Sequence, residues 1–264
     1  MSRLRDRLDR FLNRWAGITR RSTMEHPQMP TPTLVPEASA WEVEVPPGFH
    51  TPCMRYPLTE CGDARLRRYT QSPGIYWAHG VQGASFFRQR ESLEVTHLQT
   101  CDTPDGEWRT WMVDDPTHWF GLQAYATRIR GPRVLVGGLG LGMIAHLLHE
   151  RPDITDLTII ERNPNVAQLI EPWLPRDRRR SIIIDDFWSF NETHYAFAPD
   201  LNKYDTVFVD LWRGPVAEQL STVMERVQDV QRCYPWPQTE SLFFFFQDAV
   251  DLWRNSEPSK EEPS

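Results

Sequence analysis

The sequence is short of lysine, of paired cysteines, of long apolar runs and of any surplus of positive charge, and each shortage closes off a class of function. The net charge is −7 and the sequence pI near 5.6. Neutralising a nucleic-acid backbone takes a broad basic surface, so general nucleic-acid binding is excluded, although a local basic patch stays open. Lys203 and Lys260 are the only lysines, a bias that reads as genomic base composition rather than as a phosphate clamp. The four cysteines, Cys53, Cys61, Cys101 and Cys233, form no C-x-x-C pair and no zinc-type spacing with histidine. Free thiols in a reducing cytoplasm are the simplest account, and no metal site is expected. No stretch reaches the roughly 18–20 apolar residues of a membrane span. Arg and Asp recur through the first 21 residues, unlike the apolar core of a signal peptide.

What is present allows one main core and a small second one: 264 residues, 40% hydrophobic and 25% charged. Residues 1–21 place Leu4, Leu8, Phe11, Leu12, Trp15 and Ile18 at helical spacing among arginines. They predict a basic amphipathic helix that packs on its own chain, with docking on a partner or a membrane surface as the alternative. From His26 to Pro57 recurring prolines predict an extended linker, so residues 1–60 form one unit. Residues 61–130 are expected to make a small β-rich region or lid, with strands near 74–78, 93–98 and 108–113 and a turn at Pro104-Asp105-Gly106. Residues 251–264 read as a disordered tail.

The pattern changes at Pro132, and residues 131–250 alternate strands with helices. Buried-type strands are expected at 133–136, 157–160, 182–184, 206–209 and 242–246, with helices at 143–149, 164–170 and 215–232. Such alternation predicts an α/β, Rossmann-like fold with a parallel sheet and right-handed crossovers. The chain after Asp248 is short for a final antiparallel hairpin, so the sheet is expected to be abbreviated at its C-terminal side.

The first strand runs into Gly138-x-Gly140-x-Gly142, where glycines let the backbone turn sharply and approach a ligand. Glu161 ends the second strand, where a carboxylate can accept both ribose hydroxyls. Nicotinamide dinucleotides use the same pair of features, but their third glycine would fall at position 143, which is Met. The spacing suits a nucleoside bearing a sulfonium and an amino-acid tail. Asp185 and Asp186 end the third strand, and both are candidate cofactor contacts; Asp186 is the expected adenine contact and Phe187 a stacking partner, against the plainer reading of a helix cap. Asp210 ends the fourth strand at the carboxyl edge, as general base or orienting group, or as a partner of Arg213. Asp114, Asp115 and His118 read as a turn and a helix start rather than as a metal or acid/base cluster. Trp212 either stacks on substrate or packs the rim.

Taken together, Val134 to Gly142, Glu161, Ile182 to Asp186 and Tyr204 to Asp210 resemble the motifs of class I S-adenosylmethionine-dependent methyltransferases, particularly the spermidine-synthase-like branch. The resemblance covers roughly residues 110–250. It extends to short spermidine-synthase-like proteins of phages and prophages, in which a segment like Trp111 to Pro116 precedes the first strand. It implies S-adenosylmethionine or its decarboxylated form as cofactor and Asp210 as base. Where that branch has Asp-x-x-Asp-Pro, this chain reads Asp210-Leu211-Trp212-Arg213-Gly214. Arg213 would repel a diamine, so a less cationic acceptor is expected. The leading expectation is methyl transfer to an unidentified small molecule. Aminopropyl transfer and a non-catalytic scaffold are the alternatives, and a homodimer is left open.

Overall fold

The computed structural model describes residues 42–80, 83–103, 106–197, 204–212 and 242–244. The helices expected at 1–21 and 215–232, the proline-rich stretch up to residue 41, Pro104, Asp105 and the tail 251–264 lie outside these residues.

Among the described residues the N-terminal part holds seven strands: β1 (Glu42–Glu44), β2 (Glu60–Cys61), β3 (Ala64–Gln71), β4 (Gly74–Gly80), β5 (Gly83–Gln89), β6 (Leu93–Thr100) and β7 (Arg109–Val113). An antiparallel sheet runs β2-β3-β6-β7, and a smaller one runs β1-β5-β4, with β1 parallel to β5. In β3 the strand period of two turns Ala64 and Leu66 into the core opposite Thr100 and Leu98, and sends Arg65 and Arg67 to the other face. The described end of the proline-rich stretch carries β1 and a 3₁₀ turn at Pro52–Arg55. Pro52 is pre-set for the first position of that turn, and Thr51, Cys53 and Tyr56 are buried around it.

Asp115 caps the next helix, α1 (Pro116–Arg128), its carboxylate accepting from the His118 amide at 2.9 Å, with Pro116 in the first turn. The helix buries Leu122 and Tyr125, and the Tyr125 ring lies 5.4 Å from that of Phe208.

The alternation after Pro132 gives β8 (Arg133–Gly137), α2 (Met143–His149), β9 (Asp156–Glu161), α3 (Pro164–Ile170), β10 (Arg180–Ile184), α4 (Phe187–Phe197), β11 (Thr206–Val209) and β12 (Leu242–Phe244). All five strands pair in parallel, in the order β10-β9-β8-β11-β12. The fold is therefore Rossmann-like α/β. Its first strand is central, and the chain moves outward from it first to one side and then to the other. That reversal opens a crevice beyond the carboxyl ends of β8 and β11. Val134, Leu135, Val136 and Phe208 are fully buried, as strands covered on both faces must be. Among the described residues β12 is an edge strand. No helix among them is long and apolar enough to cross a membrane.

One apolar core joins the two parts. Leu66 and Leu98 of the antiparallel sheet share a cluster with Leu122, Val136, Leu141 and Phe208. The antiparallel sheet is thereby fixed next to the crevice.

Candidate functional site

A cavity of about 540 Å³ opens at the crevice, with walls from both parts of the chain. The parallel sheet contributes Gly138, Gly140, Glu161, Asp186, Phe187 and Asp210. Gly142 and Asp185 do not line it.

The turn after β8 has positive φ at Gly138, Gly140 and Gly142. Close approach fixes the first two. A Cβ at Gly138 would lie 2.2 Å from the Asp210 carbonyl oxygen, and one at Gly140 would lie 2.6 Å from the Met112 sulfur. The loop amides are turned to the protein itself. Gly138 donates to the Ile160 carbonyl (2.8 Å), Leu139 to Glu161 Oε2 (2.9 Å), Leu141 to Met112 Sδ (3.3 Å) and Gly142 to the Leu139 carbonyl (2.8 Å). Such a loop has little left to cradle a pyrophosphate.

Glu161 is held from two sides, with Oε1 accepting from the Asn163 amide at 2.8 Å and Oε2 from Leu139. Burial raises its pKa while those amides, with that of Gly140, oppose the rise. The carboxylate thus faces the cavity in a fixed orientation, with lone pairs to spare for further donors.

Asp186 serves as the cap of α4, Oδ1 accepting from the amides of Trp188 (3.0 Å) and Ser189 (3.2 Å), while its side chain still lines the cavity. Asp185 is exposed and accepts from the Asp186 amide at 2.8 Å. Phe187 is only 2% exposed, and its ring fills the space left by the missing side chain of Gly137. Trp188 meets the Phe187 ring edge-on at 5.3 Å and lies 6.5 Å from the Trp212 ring, so Trp212 belongs to an aromatic group at the rim.

Asp210 is anchored through its amide, which donates to the Gly137 carbonyl at 2.8 Å. Burial pushes its carboxyl up to about 7, the charge of His118 opposing the rise. At neutral pH the group sits at the balance point between acid and base. His118 is held by Asp115 at 3.0 Å from Nδ1 to Oδ1. Burial disfavours its charged form, but Asp115, Asp210 and Asp114 together raise its pKa. The segment expected to be only a turn and a helix start is that, and through His118 it also opposes the burial-driven rise at Asp210.

The N-terminal sheet adds lining residues that sequence reasoning missed: Asp63, Asp102, Trp111 and, from the loop after β9, Asn163. Asp63 Oδ1 accepts from Nδ2 of both Asn163 and Asn165 at 2.9 Å, tying the β2–β3 turn to the start of α3. Asn163-Pro164 directly after Glu161 is a cap signal visible in sequence. Nothing local marks Asp63 or Asp102, and Trp111 stood out only as the start of the segment that precedes the first strand. Among the described residues five carboxylates line the cavity, those of Asp63, Asp102, Glu161, Asp186 and Asp210, against one cation, Arg162.

Fold and site together define a Rossmann-like α/β protein with a nucleoside-sized, carboxylate-lined cavity at its switch point. No family model and no curated protein matches the chain. Among solved structures, human methyltransferase-like protein 13 in complex with SAH is 18% identical over 43% of this chain and 59% of its own, with a TM-score of 0.34. Spermidine synthase in complex with the transition-state analogue AdoDATO is 13% identical over 71% of this chain and 70% of its own, with a TM-score of 0.37. MtNAS in complex with MTA and tNA is 15% identical over 48% and 46%, with a TM-score of 0.31. The match thus spans well under two thirds of the human protein, and likeness at this level assigns no activity.

Proposed function

We propose that the chain is a transferase that binds S-adenosylmethionine at this cavity and moves its methyl group to a small amine held near Asp210. The observation that carries the reading is the lining of five carboxylates against one guanidinium. A field of that sign attracts a sulfonium and an ammonium and repels a dinucleotide's phosphates. Glu161 would take the ribose hydroxyls. Asp186 and the Phe187–Trp188 pair would flank the adenine. Asp210 would receive the acceptor's proton as the amine attacks the methyl carbon and the carbon–sulfur bond breaks toward sulfur. Most of the acceleration would come from in-line positioning, with base assistance on top. The less cationic acceptor expected from sequence rested on Arg213, which lies outside the described residues; the described lining supports a basic one.

The same lining favours a second reading. The carboxylate of S-adenosylmethionine needs a cation or an open amide, and among the described residues the lining offers Arg162 as its one cation. Decarboxylated S-adenosylmethionine, with two positive charges and no negative one, fits that field better. Aminopropyl transfer, leaving methylthioadenosine, is then the reaction.

Calorimetric titration with S-adenosylmethionine, its decarboxylated form, methylthioadenosine and NAD tests both. The cationic nucleosides should bind and NAD should not, and the preferred sulfonium separates the two readings. Glu161→Ala should weaken that binding, while Asp210→Asn should spare binding and remove turnover. Tight NAD binding, or no binding by either sulfonium, would overturn the proposal.

A further inference from the structure

A second cavity, of about 400 Å³, shares no lining residue with the first. Its walls are His50, Pro52, Arg55, Tyr56, His146 and Trp173. The 3₁₀ turn at Pro52–Arg55 brings the first four together, α2 presents His146, and a second 3₁₀ turn, Glu171–Trp173, presents Trp173.

Three features give this cavity a chemistry opposite to that of the first. Among the described residues the lining carries no carboxylate, so the acidic field of the first cavity is missing here. Arg55 is exposed, and its guanidinium makes no hydrogen bond or ion pair among the described residues. Its positive charge is therefore uncompensated by a neighbouring acid. The wall is also built of rings. Trp173 is 47% exposed, so much of its indole is open to a ligand. Its ring lies 6.4 Å from that of Tyr56, which in turn lies 6.2 Å from that of His146.

The Tyr56 and His146 rings of the wall are joined to each other and to the loop after β8. The Tyr56 hydroxyl is 2.8 Å from His146 Nε2 and donates to the Leu141 carbonyl at 3.2 Å. Burial, with the charges of Arg180 and His149, lowers the His146 pKa to about 4, and burial raises that of Tyr56. At neutral pH both groups are uncharged, and Arg55 adds a full positive charge to the lining.

We propose that this second cavity binds a small planar aromatic anion, its ring against Trp173 and its acid group on the Arg55 guanidinium. Guanidinium and carboxylate match in shape as well as charge, and an exposed indole beside a cation is the complementary surface for such a ligand. A cationic amine is repelled here, so the two cavities select for opposite charge. The inference does not depend on the reaction assigned to the first cavity.

The test is calorimetry on the full chain with 2-naphthoate as probe and 2-naphthalenemethanol as its uncharged counterpart. Saturable binding with a Kd below about 1 mM is expected for the carboxylate, weakened at least about tenfold for the alcohol. Trp173→Ala and Arg55→Glu should each weaken naphthoate binding by a similar factor. Both side chains are exposed, so both variants should keep the parent's thermal transition and its sulfonium-nucleoside binding. Naphthoate binding that neither substitution moves, equal binding of the alcohol, a loss with only one of the two substitutions, or no saturable binding up to about 5 mM overturns the proposal.

Discussion

The closest packing at the site is the approach of the glycine loop to the end of β11, and Gly138→Ala measures it. At φ +95 the backbone of Gly138 lies where a residue with a Cβ pays about 1–2 kcal/mol. The new methyl would lie 2.2 Å from the Asp210 carbonyl oxygen, 3.2 Å from its carbon and 3.5 Å from Leu211 Cδ2. The first obstacle is backbone and cannot swing away, so loop and strand must separate. Overpacking of that kind adds about 1–3 kcal/mol. The total, about 2–5 kcal/mol, corresponds to a fall of roughly 5–15 °C in Tm for a chain of this size. Gly48→Ala is the internal control. Its φ is +71, but nothing lies within 4 Å of the added Cβ, so only the conformational cost applies. Thermal unfolding of both variants gives the steric part by difference. Equal shifts for the two would refute the close approach of loop and strand.

Asp210 gives a pH-dependent prediction. Its folded pKa, about 7, lies above the ordinary carboxylate value, so the folded chain holds an extra proton between about pH 4 and 7. The stability it contributes is whole below about pH 4 and lost as the pH rises through about 7. Urea titrations should show Asp210→Asn gaining on the parent by a few kcal/mol at most above about pH 7 and by nothing near pH 4. Turnover by the parent should rise through about pH 7, while the Asn variant stays flat and at least about a hundredfold slower. Asp114 accepts from Thr51 Oγ1 at 2.8 Å and from the Thr96 amide at 2.6 Å, all buried. Asp114→Ala orphans two donors and should cost about 2–4 kcal/mol in urea unfolding. Arg179 donates to the carbonyls of His149, Arg151 and Ile154 and pairs with Asp177 at 2.7 Å. Arg179→Ala should cost about 2–4 kcal/mol by the same measurement.

The parallel sheet was legible because its signals are local. Val134 to Val136 form an apolar run that ends in glycines, and Glu161 follows a second such run directly. A strand doubly covered by helices writes itself into consecutive residues. The antiparallel sheet was legible only in part. In β3, Arg65, Arg67 and Arg68 interrupt the apolar pattern, and the burial of Ala64 and Leu66 becomes clear only when β6 is paired with it. Prolines 46, 47, 52 and 57 suggested a bare connection where β1 and a buried turn stand. The site divided along the same line. Glu161, Asp186 and Asp210 were identifiable as strand-end acids, whereas Asp63, Asp102 and Trp111 reach the cavity through pairing across distant stretches. The roles of Asp186 as helix cap and of Phe187 as filler for Gly137 depend on geometry that spacing does not encode.

The Leu141 carbonyl accepts from both Cys53 Sγ, at 3.3 Å, and Tyr56 Oη, while Met112 Sδ takes the Leu141 amide. Both polar groups of one loop residue are therefore closed by partners far away in the chain. The consequence lies in the order of folding. Strands β8, β9 and β10 pair with their neighbours in the chain, but the glycine loop has to wait for Cys53 and Tyr56, 88 and 85 residues from Leu141, and such distant contacts form slowly. Ligand affinity should consequently appear as a late event in refolding, after the helical signal is complete, and a fragment beginning at residue 131 should form its sheet without acquiring the cavity.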